Sequence, residues 1–201
     1  MNIYCETNFI LEIVFSQEQA NYCQKIVSLG KKRKLNLILP AYAFAESIYK
    51  LDAQNKEREL FRRDLTIQIN ALSRNKQYDS QIHNLRSLET FLTQNIEEER
   101  TRFEKCRKEL TKIAQIIPFD AKNLKDAKLV QSKYDLTLQD AIIFSSVLAH
   151  LQQNKSNQNC FLNRNAKDFN DPSIRNHLKK LSCKFFADFE RAFNFIESQI
   201  K

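Results

Sequence analysis

Four acidic residues occupy positions where a predicted strand has just ended or a predicted helix begins. Glu6 and Glu46 follow the first two predicted strands, Asp168 follows a strand at 160–162, and Asp140 opens an apolar helix. In an open parallel sheet, ligands bind in the crevice outside the carboxyl ends of the strands. The sequence therefore predicts one acidic ligand-binding pocket, assembled from segments that lie far apart in the chain.

Three of these acids also have a purely structural explanation. Asp140 and Glu46 lie in the first turns of predicted helices, where negative charge complements the positive end of the helix dipole. Glu6 can cap the helix that follows it, although Thr7 and Asn8 are better placed for that role. The sequence by itself leaves both explanations open.

Short apolar runs predict buried strands, and the segments between them have helical periodicity. The predicted strands cover residues 3–5, 35–39, 113–118, 160–162 and 183–186. Helical periodicity begins at residue 9 and again at residue 41, and it recurs over 121–134, 138–151, from about 172, and at the C-terminus. Strands that alternate with helices predict an α/β fold, with a largely parallel sheet covered on both faces.

The region 51–112 has a different pattern. Apolar residues keep to one stripe up to Leu72, and a polar break covers 73–80. Beyond it, apolar positions alternate in steps of three and four, with one gap at Glu99, which is a heptad-like seam. We therefore predict a single domain over 1–201 that carries a long antiparallel helical hairpin, with arms of roughly 45–50 Å.

Composition excludes several classes of protein. The chain has a single glycine, whereas phosphate-binding loops, dinucleotide fingerprints and nucleophile elbows need several. Its five cysteines are scattered and never form a CxxC pair, which predicts reduced thiols and a cytoplasmic protein rather than a disulfide framework or a zinc site. No segment resembles a membrane span or a secretory signal. A formal net charge of +8 favours a polyanionic partner.

Four short motifs, taken in their order along the chain, resemble the PIN domain ribonucleases. They are CETNFILEI, LPAYAFAES, LQDAIIFSSVLA and FLNRNAKDF, and the resemblance covers about residues 1–50 and 113–190. It implies a three-layer α/β/α sandwich around a central, mostly parallel sheet, into which the helical hairpin is inserted. It also implies an acidic pocket that binds one or two Mg²⁺ or Mn²⁺ ions and cleaves single-stranded RNA.

Carried onto the matching positions, the resemblance gives a set of site residues. The catalytic and metal-binding acids would be Glu6, Glu46, Asp140 and Asp168, with Asn8 and Asn165 as polar neighbours. This donor set suits Mg²⁺ and Mn²⁺, which prefer oxygen ligands, and clustered carboxylates need a cation to remain ionised together. A bound metal ion lowers the pKa of a water molecule and stabilises charge on the leaving oxygen.

Basic residues are predicted to guide the RNA backbone toward this pocket by neutralising phosphates. They are Lys31, Lys32, Arg33, Lys34, Arg164 and Lys167. Many small members of the family are toxins that pair with an antitoxin, and many form dimers. The expected partners are therefore single-stranded RNA, an antitoxin or other protein, and a second copy of this chain.

The sequence departs from the family pattern at three points. Glu6 replaces the usual Asp, and its extra methylene displaces the carboxylate. Asn163 stands where Thr or Ser is usual, and the long hairpin is absent from compact members. These departures keep a second hypothesis open, a catalytically weak or inactive PIN-like module that binds RNA or a protein partner through the arms. A third is a structure-specific DNA nuclease. A dimer formed through the arms is the first expectation for the hairpin.

Overall fold

The computed structural model describes residues 1–154, 156 and 158–200, which form one five-stranded sheet with helices packed around it. The strands are β1 (Asn2–Cys5), β2 (Asn36–Pro40), β3 (Gln115–Ile117), β4 (Asn159–Leu162) and β5 (Cys183–Phe186). Their order across the sheet is β3-β2-β1-β4-β5, and every neighbouring pair is parallel. The central strand β1 is buried along its whole length, as expected for a strand covered on both faces.

The helices connect the strands and cover the sheet. They are α1 (Thr7–Val14), α2 (Ala20–Lys31), α3 (Ala41–Leu72), α4 (Asp79–Ile113), α5 (Ala121–Tyr134), α6 (Leu138–Gln153), α7 (Ala166–Phe169), α8 (Pro172–Lys180) and α9 (Phe189–Ile200), with a 3₁₀ turn at Lys76–Tyr78. Helix α1 packs against α2, α3 and α4, and α2 packs against α9. Helix α5 packs against α6, and α8 packs against β5. Within the described residues, no helix combines the length and apolar character needed to cross a bilayer.

Most predicted elements are confirmed, with local differences. The first predicted helix is two helices, because the chain turns between Val14 and Ala20 and Ser16 adopts a positive φ of 51°. The strand predicted over 113–118 shrinks to three residues, since α4 continues through Ile113. A short apolar run does not distinguish the end of a buried helix from the start of a strand. The short helix α7 was not predicted.

Helices α3 and α4 are the two long helices of the predicted hairpin. They contain 32 and 35 residues and pack against each other. Near the sheet, Leu51, Phe103 and Leu110 belong to the main hydrophobic core, and Arg102 Nε donates a 2.6 Å hydrogen bond to the carbonyl of Val14. Further out, Ile69 and Ile96 are buried but lie outside that core. The distal parts of the two helices therefore stabilise each other.

The gap at Glu99 in the heptad-like seam has a structural explanation. Glu99 is only 2% exposed, and its Oε2 accepts a hydrogen bond from Arg58 Nη1 across the hairpin. A buried carboxylate needs such a partner, because an unpaired buried charge is costly. The seam thus replaces one apolar contact with an ion pair between α3 and α4.

Replacing Arg58 with alanine is expected to lower the free energy of unfolding by about 3 kcal/mol, because it leaves the Glu99 carboxylate buried without a partner. Urea unfolding followed by circular dichroism measures the change. Arg63→Ala is the matched control, since its side chain is 65% exposed and contacts Glu59 at 3.5 Å, so that loss stays under about 1 kcal/mol. The double variant Arg58→Met/Glu99→Leu should recover most of the stability. Equal losses for Arg58→Ala and Arg63→Ala would contradict a structural role for this ion pair.

Candidate functional site

Glu6 lies between β1 and α1 and is the N-cap of that helix. Its Oε2 accepts a 2.8 Å hydrogen bond from the backbone N–H of Asn8, so Glu6 itself caps the helix, contrary to the expectation that Thr7 or Asn8 is better placed. The side chain is almost completely buried, and Oε1 has no hydrogen-bond partner in the described part of the chain. A buried carboxylate oxygen without a donor is unusual and marks a position where a proton or a cation is needed.

The environment of Glu6 favours its protonated form. Burial raises the pKa of Glu6 to about 8, and the negative charges of Glu46 and Asp140 also raise it. The Asn8 N–H and the Lys50 ammonium act in the opposite direction and lower it. At neutral pH, and without a bound cation, Glu6 therefore holds a proton for most of the time.

Glu46 lies in the second turn of α3, directly above the end of β2. Its Oε2 accepts a 2.5 Å hydrogen bond from the Thr7 hydroxyl, and its Oε1 pairs with Lys50 Nζ at 2.9 Å. Thr7 is the first residue of α1, so this hydrogen bond joins the segments that follow β1 and β2. Lys50, one helical turn beyond Glu46, places a positive charge beside the Glu46 carboxylate.

Asp140 and Asp168 are held together by Asn165. The side-chain amide of Asn165 donates to Asp168 Oδ2 at 2.7 Å and to Asp140 Oδ2 at 3.2 Å. The Thr137 hydroxyl donates a further hydrogen bond of 2.8 Å to Asp140 Oδ2. Burial raises the pKa of Asp140, and the negative charges of Glu46 and Asp168 contribute in the same direction, whereas the Thr137 hydrogen bond and Lys50 lower it.

The fold thus brings the four predicted acids into one electrostatic cluster at the carboxyl edge of the sheet. The negative charges of Glu46 and Asp140 raise the pKa of Glu6, and those of Glu46 and Asp168 raise the pKa of Asp140. The four acids reach this edge from the segments that follow β1, β2 and β4 and from the start of α6. We call these four residues the acidic cluster.

The atom types of the acidic cluster, but not their spacing, suit a hard divalent cation. All four side chains offer carboxylate oxygens as ligand atoms. The Oε1 atom of Glu6 is one of them, and it has no hydrogen-bond partner in the described part of the chain. Their present arrangement is less compact than a finished metal site. In the residues that the structure describes, no three His, Cys, Asp or Glu side chains are grouped so that they could hold one ion. Asn165 instead links Asp140 with Asp168, and Lys50 neutralises Glu46.

The basic residues predicted to bind RNA fall into two places. Lys31–Lys34 precede β2, whereas the acidic cluster lies beyond the strand ends, so the length of the sheet, roughly 15 Å, separates them. These four residues therefore lie at the edge of the sheet opposite the acidic cluster. Lys167 on α7 is exposed at the carboxyl edge, beside Asp168. RNA binding by any of them stays a prediction.

Arg164 has a partner that sequence reasoning missed. Its Nη1 donates to Oε2 of the fully buried Glu12 at 2.6 Å and approaches Glu18 at 3.5 Å. The other oxygen of Glu12 accepts a 2.6 Å hydrogen bond from the backbone of Gln19. Glu12 stands in the apolar run of α1, and a lone acid among buried residues was the available signal. The ion pair fixes the loop after β4, next to Asn165.

Comparison with known proteins does not assign the chain to a family. No protein-family model matches the chain, and no curated protein matches it. Among solved structures, it is similar to the crystal structure of VapBC2 from Rickettsia felis bound to a DNA fragment from its promoter. The sequences are 12% identical, the match covers 92% of this chain and 99% of that one, and the TM-score is 0.47. A similarity of this size does not establish a family.

The burial of Glu6 predicts a specific pH dependence of stability. Because its pKa in the folded protein is about 8, against 4.5 for an exposed glutamate, the folded protein keeps a proton between pH 5 and 8 that the unfolded chain has already released. The contribution of Glu6 to stability is therefore complete below pH 4.5 and lost as the pH rises through 8. The Glu6→Gln side chain cannot ionise. The free energy of unfolding of this variant should therefore rise relative to that of the natural protein by about 1 kcal/mol per pH unit across this window.

Urea unfolding at pH 5, 6.5 and 8, with a chelator present, measures this difference. The control is Glu57→Gln, an exposed position on α3, whose difference from the natural protein should not change with pH. If the Glu6→Gln difference stayed constant from pH 5 to 8, Glu6 would be ionised in the folded protein, and its assigned environment would be wrong.

Proposed function

We propose that this protein is a divalent-metal-dependent endoribonuclease that cleaves single-stranded RNA. The observation that supports this best is the acidic cluster itself, with the buried, unpartnered Oε1 of Glu6 at its base. Its position agrees with the general rule that open parallel sheets bind ligands beyond the carboxyl ends of their strands. The resemblance of the four sequence motifs to the PIN domain ribonucleases suggests the substrate and the chemistry.

In this proposal Glu6, Glu46, Asp140 and Asp168 would hold Mg²⁺ or Mn²⁺. When bound, the metal ion supplies a water molecule of lowered pKa and a positive charge for the phosphate. The chain's own residues orient the ligands: the Thr7 hydroxyl fixes Glu46, and the Asn165 amide fixes Asp140 and Asp168. Such orienting partners matter for affinity and activity. Glu6 releases its proton on binding, so binding strengthens with rising pH.

Lys50 gives the second candidate function its specific support. Its ammonium pairs with Glu46 and lowers the pKa of both Glu6 and Asp140, so it already supplies part of the positive charge that a metal ion would provide. Together with the absence of a three-ligand group in the described residues, this favours a module that binds RNA or a protein without cleaving it. In the nuclease proposal, Lys50 is displaced from Glu46 when the cation binds, which its 44% exposed side chain permits.

The remaining features fit a single PIN-like domain into which the hairpin of residues 51–112 is inserted. An antitoxin or another protein is the partner that the resemblance suggests. All five cysteines are free and buried, which supports a reducing compartment such as the cytoplasm.

One cleavage experiment separates the candidate functions. Labelled single-stranded RNA and DNA are incubated with the protein in Mn²⁺, in Mn²⁺ with excess chelator, and with the variants Asp140→Asn and Asp64→Asn. We expect metal-dependent cleavage of RNA. Asp140→Asn should lower the rate by more than the roughly 10–100-fold that loss of an orienting partner costs. Asp64, exposed on α3 and far from the acidic cluster, is the matched control and should have no effect.

Each other outcome decides against the proposal. Cleavage that persists in Asp140→Asn comes from a contaminant, and faster cleavage of DNA favours the DNA nuclease. If no variant cleaves either substrate, while the protein still retains RNA in a filter-binding assay, the non-catalytic module is the better description.

We also propose that the arms form the interface of a homodimer. Helix α3 exposes Tyr49, Leu60 and Ile67, which lie 11 and 7 residues apart and so share one side of the helix. Leu60 and Ile67 are 50% and 63% exposed, so much of their apolar surface is in contact with water. A second copy of the same stripe would cover them, as in other heptad-like helix pairs.

The double variant Leu60→Glu/Ile67→Glu should convert a dimer into a 23.7 kDa monomer in light scattering. The control Gln68→Glu/Asn70→Glu adds the same charge to exposed polar positions of α3 and should leave the mass unchanged. A natural protein that is already monomeric would end this idea.

A further inference from the structure

A basic groove lies along the last turns of α4, at the edge of the sheet where the strands begin. It has a volume of about 760 Å³, and its lining includes five cations but only two carboxylates. The cations are Lys31, Arg100, Lys105, Lys108 and Lys112, and the carboxylates are Glu104 and Glu109. The positive residues Lys32, Arg33 and Lys34 continue from Lys31 and are exposed. We call this surface the amino-edge patch.

Several charges of the amino-edge patch already have partners. Lys31 forms an ion pair with Glu109, Arg100 contacts Glu97, and Arg107 binds Glu104. The acids in the groove are therefore occupied.

The lysines on α4 differ from these paired groups. Lys105, Lys108 and Lys112 form no ion pair with any carboxylate in the described part of the chain. They follow one another at steps of three and four, which places them in a row on one face of the helix. Part of the uncompensated charge of the patch thus lies in a single row on α4.

Helix dipoles explain only part of this charge. Lys31 and Lys112 lie in the last turns of α2 and α4, where cations complement the negative helix end. That effect falls off within the last turn, and Lys105 and Lys108 lie eight and five residues before Ile113. Intrahelical ion pairs do not explain them either, because Glu104 binds Arg107 instead.

The composition of the groove indicates which polyanion it suits. No aromatic side chain lines it, so it has no platform on which bases could stack. A row of flexible lysines contacts phosphates as point charges and carries no sequence information. The patch is also separated from the acidic cluster by the length of the sheet, so it is a surface distinct from the candidate active site.

We propose that the amino-edge patch binds the phosphodiester backbone of a nucleic acid, without sequence preference and independently of the acidic cluster. Lys105, Lys108 and Lys112 make the phosphate contacts, and Lys32–Lys34 extend the same surface toward β2. Since the contacts are to phosphates alone, RNA and DNA single strands of equal length bind with similar affinity.

Fluorescence anisotropy of a labelled single-stranded RNA of about 16 nucleotides tests this proposal. A chelator is present throughout, so that cleavage and metal binding do not contribute. The variant Lys105→Gln/Lys108→Gln/Lys112→Gln should weaken binding at least about tenfold near 0.1 M salt and flatten the slope of log K against log salt by about 2. A DNA strand of the same length should give the same slopes.

The matched control is Arg74→Gln/Lys76→Gln/Arg86→Gln, which removes the same charge at the tip of the hairpin. It should bind almost as well as the natural protein, and thermal unfolding should show that both triple variants are folded. Equal losses in the two triple variants would show that only net charge matters and would overturn the proposal. Competition by poly-glutamate as strong as by RNA would also overturn it, since the surface would then be one for acidic proteins.

Discussion

Mutual repulsion among partly buried carboxylates is the constraint on which the carboxyl edge of this protein depends. Four acids approach one another there, and they are stabilised in three different ways. Glu6 is mostly protonated, Glu46 has the Thr7 hydroxyl and Lys50, and Asp140 shares the Asn165 amide with Asp168. A fold that needed only caps for its helices would have no reason to gather these charges. A bound cation would relieve this repulsion, whereas an anionic ligand would add to it.

The parallel sheet also separates charge of opposite sign. Every strand runs in the same direction, so the segments that leave the strands collect at one edge and those that enter collect at the other. The first edge holds the acidic cluster, and the second holds the amino-edge patch. In an antiparallel sheet, Glu6 and the cations before β2 would lie at the same edge and pair with each other. Strand direction thus keeps the two charged surfaces apart.

Two buried glutamates form ion pairs that connect separate elements of the fold. Glu12 binds Arg164 and so connects α1 with the loop that carries Asn165, while Glu99 binds Arg58 across the hairpin. Glu12 interrupts an apolar stretch of α1, and Glu99 occupies a position of the heptad-like seam that apolar residues otherwise fill. A buried charge tolerates few geometries, since losing its partner is far more costly than a small shift of apolar side chains. Ion pairs of this kind favour one arrangement of elements over others of similar hydrophobic burial.

The sequence by itself determined the elements and the order of the acids. Apolar runs and helical periodicity are local properties, so the strands at 160–162 and 183–186 and the long helices were predictable, as was the placement of acids after strands. Only the tertiary structure decided which distant groups meet. Nothing local indicates that the Thr7 hydroxyl would bind Glu46, that Arg164 would pair with Glu12, or that the basic run before β2 would lie at the edge opposite the acids. These outcomes depend on strand order and direction, which periodicity does not encode, because a side chain's partner is set by how whole elements pack rather than by its neighbours in the chain.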